Sequence, residues 1–327
     1  MGRFPKLSLV GVMALMLPLV AQQQGAEEEI LDEPTFSLDV KVVNLLATVK
    51  DGKGLLVNSL TKDEFILEED GVRQDVTYFA RQTDLPITIG LLVDTSVSQQ
   101  RLIEDERYAS SKFFEAILRE KKDLAFLMSF DTNIELLQDY TDSRTLLVRG
   151  LEDLQIESSS GGLRPGPTGS SGRVGTALYD SIYLACDEMF KGQIGRKALV
   201  LISDGNDSGS KMKIEQAIEA AHRSDVVIFS IRYFDRQFYM QYGQGFGGSG
   251  TLNRISRDTG GSLFEVTKRK TLSSIYEAIN DEMRNQYSIG YSPKRDLSVL
   301  GFRKIKLRTR QKGRKVQARQ GYYPGAI

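Results

Sequence analysis

The stretch Ile87–Ser98, I-T-I-G-L-L-V-D-T-S-V-S, constrains the fold more than any other part of the chain. From Ile87 to Val93 it carries no charge, which is how a strand in the middle of a parallel sheet reads when helices cover both its faces. The run stops at Asp94, and Ser96 and Ser98 follow at i+2 and i+4. Just past the carboxyl end of such a strand, these oxygens lie where open α/β sheets bind their ligands. One carboxylate and two hydroxyls form a hard, oxygen-only set suited to Mg²⁺ or Mn²⁺. Serines also cap helices, so the short pattern needs partners further along the chain.

The rest of the chain supplies a setting for that strand. Apolar runs at Asp123–Phe130, Lys197–Ser203 and Asp225–Ile231 read as further buried strands, with Ile134–Tyr140 and Gly260–Glu265 at the sheet edges. Helical spacing falls between them at Arg101–Leu118 (apolar face Leu102, Ala109, Phe113, Ala116, Ile117), Ser143–Leu154, the segment up to Phe190, Met212–Ala221 and Leu272–Met283. Strands alternating with helices predict a doubly wound, mostly parallel α/β sheet. Two stretches, Ile156–Val174 and Tyr233–Thr251, are rich in glycine and read as loops on the ligand-binding rim.

Short strands flank this region. Phe36–Val42 and part of Asn44–Val49 alternate with period two, and Asp51-Gly52-Lys53-Gly54 is a turn. Thr61 and Glu64 make a capping box, and Ile66–Val72 and Gln74–Phe79 read as strands around Asp70-Gly71. At the other end Gln286–Tyr291, Phe302–Arg310 and Lys315–Arg319 are strands. Three strands are marginal alone, so they are expected to pack with the N-terminal module as a small β-sandwich-like domain split around the central one. Glu68, Glu69 and Asp70 are expected to form a solvated hairpin tip rather than a Ca²⁺ site. Lys304, Lys306, Arg308 and Arg310 line one face of a strand without stacking aromatics, so they read as an exposed face rather than a nucleic-acid stripe.

The bulk numbers remove other options. Lys plus Arg and Asp plus Glu are 43 each, so no overall field draws the chain to nucleic acid. One cysteine, Cys186, rules out an internal disulfide, and one histidine, His222, rules out sites with two imidazoles. Arg3 and Lys6 precede an apolar run, Leu7–Val20, that is short for a membrane span. It reads as a cleavable export signal over residues 1–21, followed by an acidic leader at 22–34 that is expected to be disordered; an uncleaved anchor is the alternative. No stable membrane span is expected, and the predicted location is periplasmic or secreted.

Two further segments complete the oxygen set: Thr176, where the chain enters a helix after Gly175, and Asp204, at the end of a buried strand. Asp94, Ser96, Ser98, Thr176 and Asp204, in these strand and loop contexts, resemble the metal-ion-dependent adhesion site of von Willebrand factor type A domains over roughly 85–284. The flanks, TKDEFILEEDGVRQDVTYF before it (35–84) and QYSIGYSP with FRKIKLRTRQKGRKVQARQGYY after it (285–327), are similar to type A-related proteins of acidobacteria. The resemblance implies that Ser96, Ser98 and Thr176 meet the ion, with Asp94 and Asp204 bound to it or acting through water. It implies an open coordination position that a partner protein fills with an Asp or Glu carboxylate, with Gly175, Gly205 and Asn206 on the partner-facing rim. The expected function is an exported, non-enzymatic protein-binding module. A metal-dependent hydrolase, or an envelope protein with a vestigial site, are the alternatives.

Overall fold

The computed structural model describes residues 42–82, 85–156, 175–242 and 247–324. The export signal, the acidic leader, most of the expected strand at Phe36–Val42 and nearly all of the Ile156–Val174 loop lie outside them. The N-terminal strands are β1 (Val43–Lys50), β2 (Phe65–Glu69), β3 (Val72–Gln74) and β4 (Tyr78–Gln82). The central region follows with β5 (Ile87–Asp94), α1 (Ile103–Ile117), β6 (Leu124–Phe130), β7 (Ile134–Thr141), α2 (Arg144–Glu152), α3 (Leu178–Leu184), β8 (Arg196–Ser203) and α4 (Ile214–Arg223). It continues with β9 (Val226–Arg232), α5 (Arg236–Tyr242), α6 (Ser249–Thr259), β10 (Leu263–Glu265) and α7 (Leu272–Arg284). The chain ends in β11 (Gln286–Tyr291), β12 (Arg303–Thr309), β13 (Lys315–Ala318) and β14 (Gly321–Tyr322).

The central sheet runs β10-β9-β8-β5-β6-β7, parallel throughout except for the edge strand β7. Every residue of β5 is buried. Ile89, Leu91 and Val93 pack against α1, α2 and α7, while Leu92 packs against α3, α4 and α6 on the opposite face. This is the doubly wound architecture expected from the sequence, and each fully buried Leu or Ile contributes about 1.5–3 kcal/mol. Gly90 is required between them, because a Cβ there would lie 2.4 Å from the Phe126 ring. Numbered from β5, the strand order is the 3-2-1-4-5-6 arrangement whose direction reverses between β5 and β8. The loops leaving those two strands therefore diverge and open a crevice between them.

The flanking strands form two four-stranded sheets, β13-β1-β11-β4 and β14-β12-β2-β3. β1 pairs with β11 and β13, and β2 pairs with β12, so strands from before and after the central sheet share these two sheets. Their core joins Val43, Leu45, Phe65 and Leu67 to Tyr287, Ile289 and Ile305.

Several expectations change. Gln74–Phe79 is not one strand: β3 closes a hairpin on β2 through Asp70-Gly71, both at positive φ, and β4 then joins the other sheet. Such a two-residue turn matches the twist of the strands. The Tyr233–Thr251 stretch is not only loop, since it holds α5 and the start of α6. On α1 the inner face includes Ile103, Glu106 and Ser110, whereas Ala116 is exposed.

The solvated-tip expectation is overturned at Glu69, which is 2% exposed. Its Oε1 accepts a 3.0 Å bond from the fully buried Arg303, and its Oε2 accepts from the Tyr291 and Tyr322 hydroxyls at 2.6 and 2.9 Å. Arg303 also donates to the carbonyls of Arg295, Asp296 and Val299. Burial and the bond to Glu69 raise the Tyr322 phenol to about 12, keeping it a donor. Removing one partner of a buried pair strands the other charge, so Glu69→Ala is expected to cost about 3–5 kcal/mol in urea unfolding. Glu68→Ala, which breaks only the partly exposed contact with Arg308, is expected to cost less than about 1 kcal/mol.

Candidate metal centre at the sheet switch point

Asp94 ends β5 and is fully buried. Its Oδ1 accepts the Ser96 N–H at 3.0 Å, which folds the chain back over the strand end. Its Oδ2 accepts the Ser203 hydroxyl of β8 at 2.6 Å, tying the two strands together across the switch point. The Ser203 Oγ in turn accepts the Gly205 N–H at 2.9 Å, which shapes the next loop. Burial, and then the charge of Asp204, raise the Asp94 carboxyl to about 7.

The rim carries a chain of oxygens. Ser96 Oγ and Ser98 Oγ are 3.0 Å apart, and Ser98 donates to Asp204 Oδ2 at 2.7 Å. Asp204 Oδ1 accepts the Asn206 N–H at 2.9 Å. The Tyr239 hydroxyl, from α5, donates to the same Oδ2 at 2.5 Å and accepts from the Asn206 amide at 2.6 Å. Gly205 and Gly248 pass so closely that a Cβ on Gly205 would lie 2.5 Å from the Gly248 carbonyl oxygen. This backbone crossing presses the segment after α5 against the Asp204 loop.

Asp94, Ser96, Ser98 and Asp204 thus come together in one linked network. Thr176 is positioned by its backbone: its N–H donates to Ser208 Oγ at 3.1 Å, and its carbonyl accepts from the Ser208 and Gly209 N–H groups. The following residue, Ala177, donates to the Asp131 carbonyl at the end of β6. Among the described contacts the Thr176 hydroxyl has no bond into the Asp94–Asp204 network. Of the expected partner-facing rim, Gly175 and Asn206 are half-buried and Gly205 is buried. Gly205 therefore serves the backbone crossing rather than an exposed surface.

Three participants were not anticipated: Ser203, Tyr239 and Glu106. Ser203 directly precedes Asp204, and its place at a strand end was a usable signal. Tyr239 had no such signal. Glu106 lies on the buried face of α1, and among the described residues neither of its carboxylate oxygens has a hydrogen-bond partner. Burial, then the charges of Asp94, Asp105 and Asp204, push its carboxyl well above the usual range.

The chain matches no family model and no curated protein. Among solved structures it is similar to proximal thread matrix protein 1 from the mussel byssus, at 13% identity over 66% of this chain and 50% of that one, with a TM-score of 0.47. It is also similar to BatB from Bacteroides thetaiotaomicron, at 18% identity, 61% and 97% coverage and a TM-score of 0.43. The vWF domain of the type V pili tip protein Mfa5 from Porphyromonas gingivalis aligns at 12% identity, 61% and 95% coverage and a TM-score of 0.43. The chain spans half the length of the mussel protein, another crystal of which holds a zinc-occupied MIDAS motif. Likenesses this distant carry no function, and the fold rests on the strand order and core described above. That architecture is the doubly wound, mostly parallel α/β sheet expected from the sequence.

A group whose carboxyl is raised on folding favours the native state at low pH and loses that contribution as pH rises above its unfolded value. Glu106→Gln is therefore expected to gain stability relative to the native sequence as pH rises from 4.5 toward neutrality, with the two chains closest in acid. Urea unfolding of both at several pH values checks this.

Proposed function

We propose that this chain is a metal-dependent protein-binding module. It would hold Mg²⁺ or Mn²⁺ at Asp94, Ser96, Ser98, Thr176 and Asp204 and capture an Asp or Glu carboxylate of a partner protein. The observation that carries this reading is the Ser96–Ser98–Asp204 oxygen chain beside the buried Asp94 carboxylate. Neighbouring ligands on an octahedral ion with bonds of about 2.0–2.1 Å lie about 2.9 Å apart. The Ser96–Ser98 spacing of 3.0 Å fits that edge. The donor set is oxygen only, as these hard cations prefer. Bound there, the cation would supply positive charge beside the buried Asp94 carboxylate, whose proton affinity burial and the Asp204 charge raise.

Where hydroxyls rather than carboxylates meet the ion directly, its charge is only partly compensated, which favours an anionic oxygen over water at an open position. Gly175 and Asn206 would flank that position. Export through the apolar Leu7–Val20 run would place the module outside the cytoplasm; among the described residues no helix is long and apolar enough to cross a membrane. No observation favours a hydrolase. The His222 Nε2 is engaged by the Asp258 carbonyl at 2.8 Å, its ring lies against Phe302, and burial raises the Cys186 thiol.

Calorimetry with Mg²⁺ and Mn²⁺ tests the centre. The native chain is expected to bind both, and Ser96→Ala with Ser98→Ala to weaken binding roughly tenfold or more. Partner capture from an envelope extract is expected to disappear with EDTA and in Asp94→Ala with Thr176→Ala. Capture that survives both treatments would refute the reading.

A further inference from the structure

Tyr239 stands out because its hydroxyl reaches a carboxylate of the centre while coming from a separate element. The phenol is 3% exposed, and its bond to Asp204 Oδ2 is shared with Ser98. Oδ1 is meanwhile held by the Asn206 N–H, and the Asn206 amide fixes the phenol from its other side. Two donors on one carboxylate oxygen leave it little capacity for a third partner. The Ser98 donor can serve the ion as well, since its proton stays on Asp204 while its lone pairs turn outward. The phenol cannot, because its oxygen already accepts from Asn206 and its proton is committed to Asp204.

The segment carrying it is braced. Arg101 donates to Gln237 at 2.9 Å and to Asp235 at 3.3 Å, and Gln99 donates to the Tyr233 carbonyl. Tyr233 donates to Asp105 of α1 at 3.2 Å. The phenol is thus held in place by the loop before α1 and by α1 itself.

We propose that Tyr239 is the positioning residue that keeps Asp204 out of direct contact with the metal ion, so that Asp204 acts on it through hydrogen bonds. This rests on the metal-centre reading above and goes beyond it by assigning the ion's charge balance to one phenol. With Asp204 held back, the ion is bound less tightly and keeps more charge for an incoming carboxylate. Removing the phenol hydroxyl frees one acceptor position on Oδ2, and Asp204 moves onto the ion in place of a water. Metal affinity then rises and the ion's bound water falls, which is the reverse of what loss of a merely structural contact does.

The test uses Mn²⁺ alone, on the full chain and on Tyr239→Phe and Ser96→Ala with Ser98→Ala. Calorimetry gives affinity, and the water-proton relaxation of the Mn²⁺-loaded protein reports exchangeable waters on the ion. Tyr239→Phe is expected to bind Mn²⁺ roughly fivefold to tenfold more tightly, with lower relaxation enhancement. Should Mn²⁺ bind the native chain and not the double serine variant, while Tyr239→Phe binds equally or more weakly, the role of Tyr239 is overturned and the centre stands. Absence of Mn²⁺ binding by the native chain removes both.

Discussion

Two carboxylates are forced toward each other at the ends of adjacent buried strands, and most of the rim is organised around managing that repulsion. Asp94 and Asp204 belong to the connections leaving β5 and β8, the pair between which the sheet's winding reverses. Charge taken out of water is costly unless it is paired or neutralised. Here the protein answers with hydroxyl and amide donors: Ser203 and the Ser96 N–H on Asp94, and Ser98, Tyr239 and the Asn206 N–H on Asp204. Dipoles compensate only part of a negative charge. Burial first, and the Asp204 charge second, raise the Asp94 carboxyl, and a divalent cation at the proposed centre would relieve both more completely than dipoles do.

The sheet supplies the rigidity that such an arrangement needs. β5 is buried along its whole length and pairs in parallel on both sides, with β6 and β8, so its end cannot drift without disturbing two neighbours. Hydrogen bonds from the rim loops then act on a fixed frame, and side chains held this way lose less freedom on taking a ligand. The flanking sheets solve a different problem. Strands from both ends of the chain pair there, and the Glu69–Arg303 pair lies between two tyrosine hydroxyls and three backbone carbonyls. Both carboxylate oxygens of Glu69 and both terminal nitrogens of Arg303 have partners there, in contrast to Glu106, whose carboxylate has none among the described residues.

What the chain reveals in one dimension follows from how local each signal is. The uncharged Ile87–Val93 run and the spacing of Asp94, Ser96 and Ser98 are properties of a dozen consecutive residues, and they read directly as strand and rim. Capping at Thr61 and Glu64 is equally local, with the Thr61 N–H bonded to the Glu64 carboxylate at 2.9 Å. Glu69 was misread because the groups that bury it are more than two hundred residues away, whereas its own neighbours, Glu68 and Asp70, look like a solvated turn. α6 escaped notice because Ser-Gly-Thr-Leu-Asn-Arg-Ile-Ser-Arg-Asp-Thr offers only Leu252 and Ile255 as apolar markers, too few to set a period. Tyr239 was illegible for a related reason: its stretch is dominated by aromatics and glycines, and nothing in the order of residues says which ring turns inward.

That difference bears on how the centre works. Ligand oxygens set by a strand end are encoded locally, so the same short pattern can accompany centres of quite different affinity. The donors that decide how much negative charge each carboxylate presents arrive from distant segments, as Ser203 does from β8 and Tyr239 from α5. A cation held at the proposed centre would therefore experience a field set largely outside the motif that identifies the site. On the proposed reading, a carboxylate occupied by donors would offer the ion less charge, and what the protein withholds would be left for a carboxylate from outside. On this argument the strength of metal binding and the strength of anion capture oppose each other. The balance between them lies with residues around Asp204 rather than with the five oxygens that first draw attention.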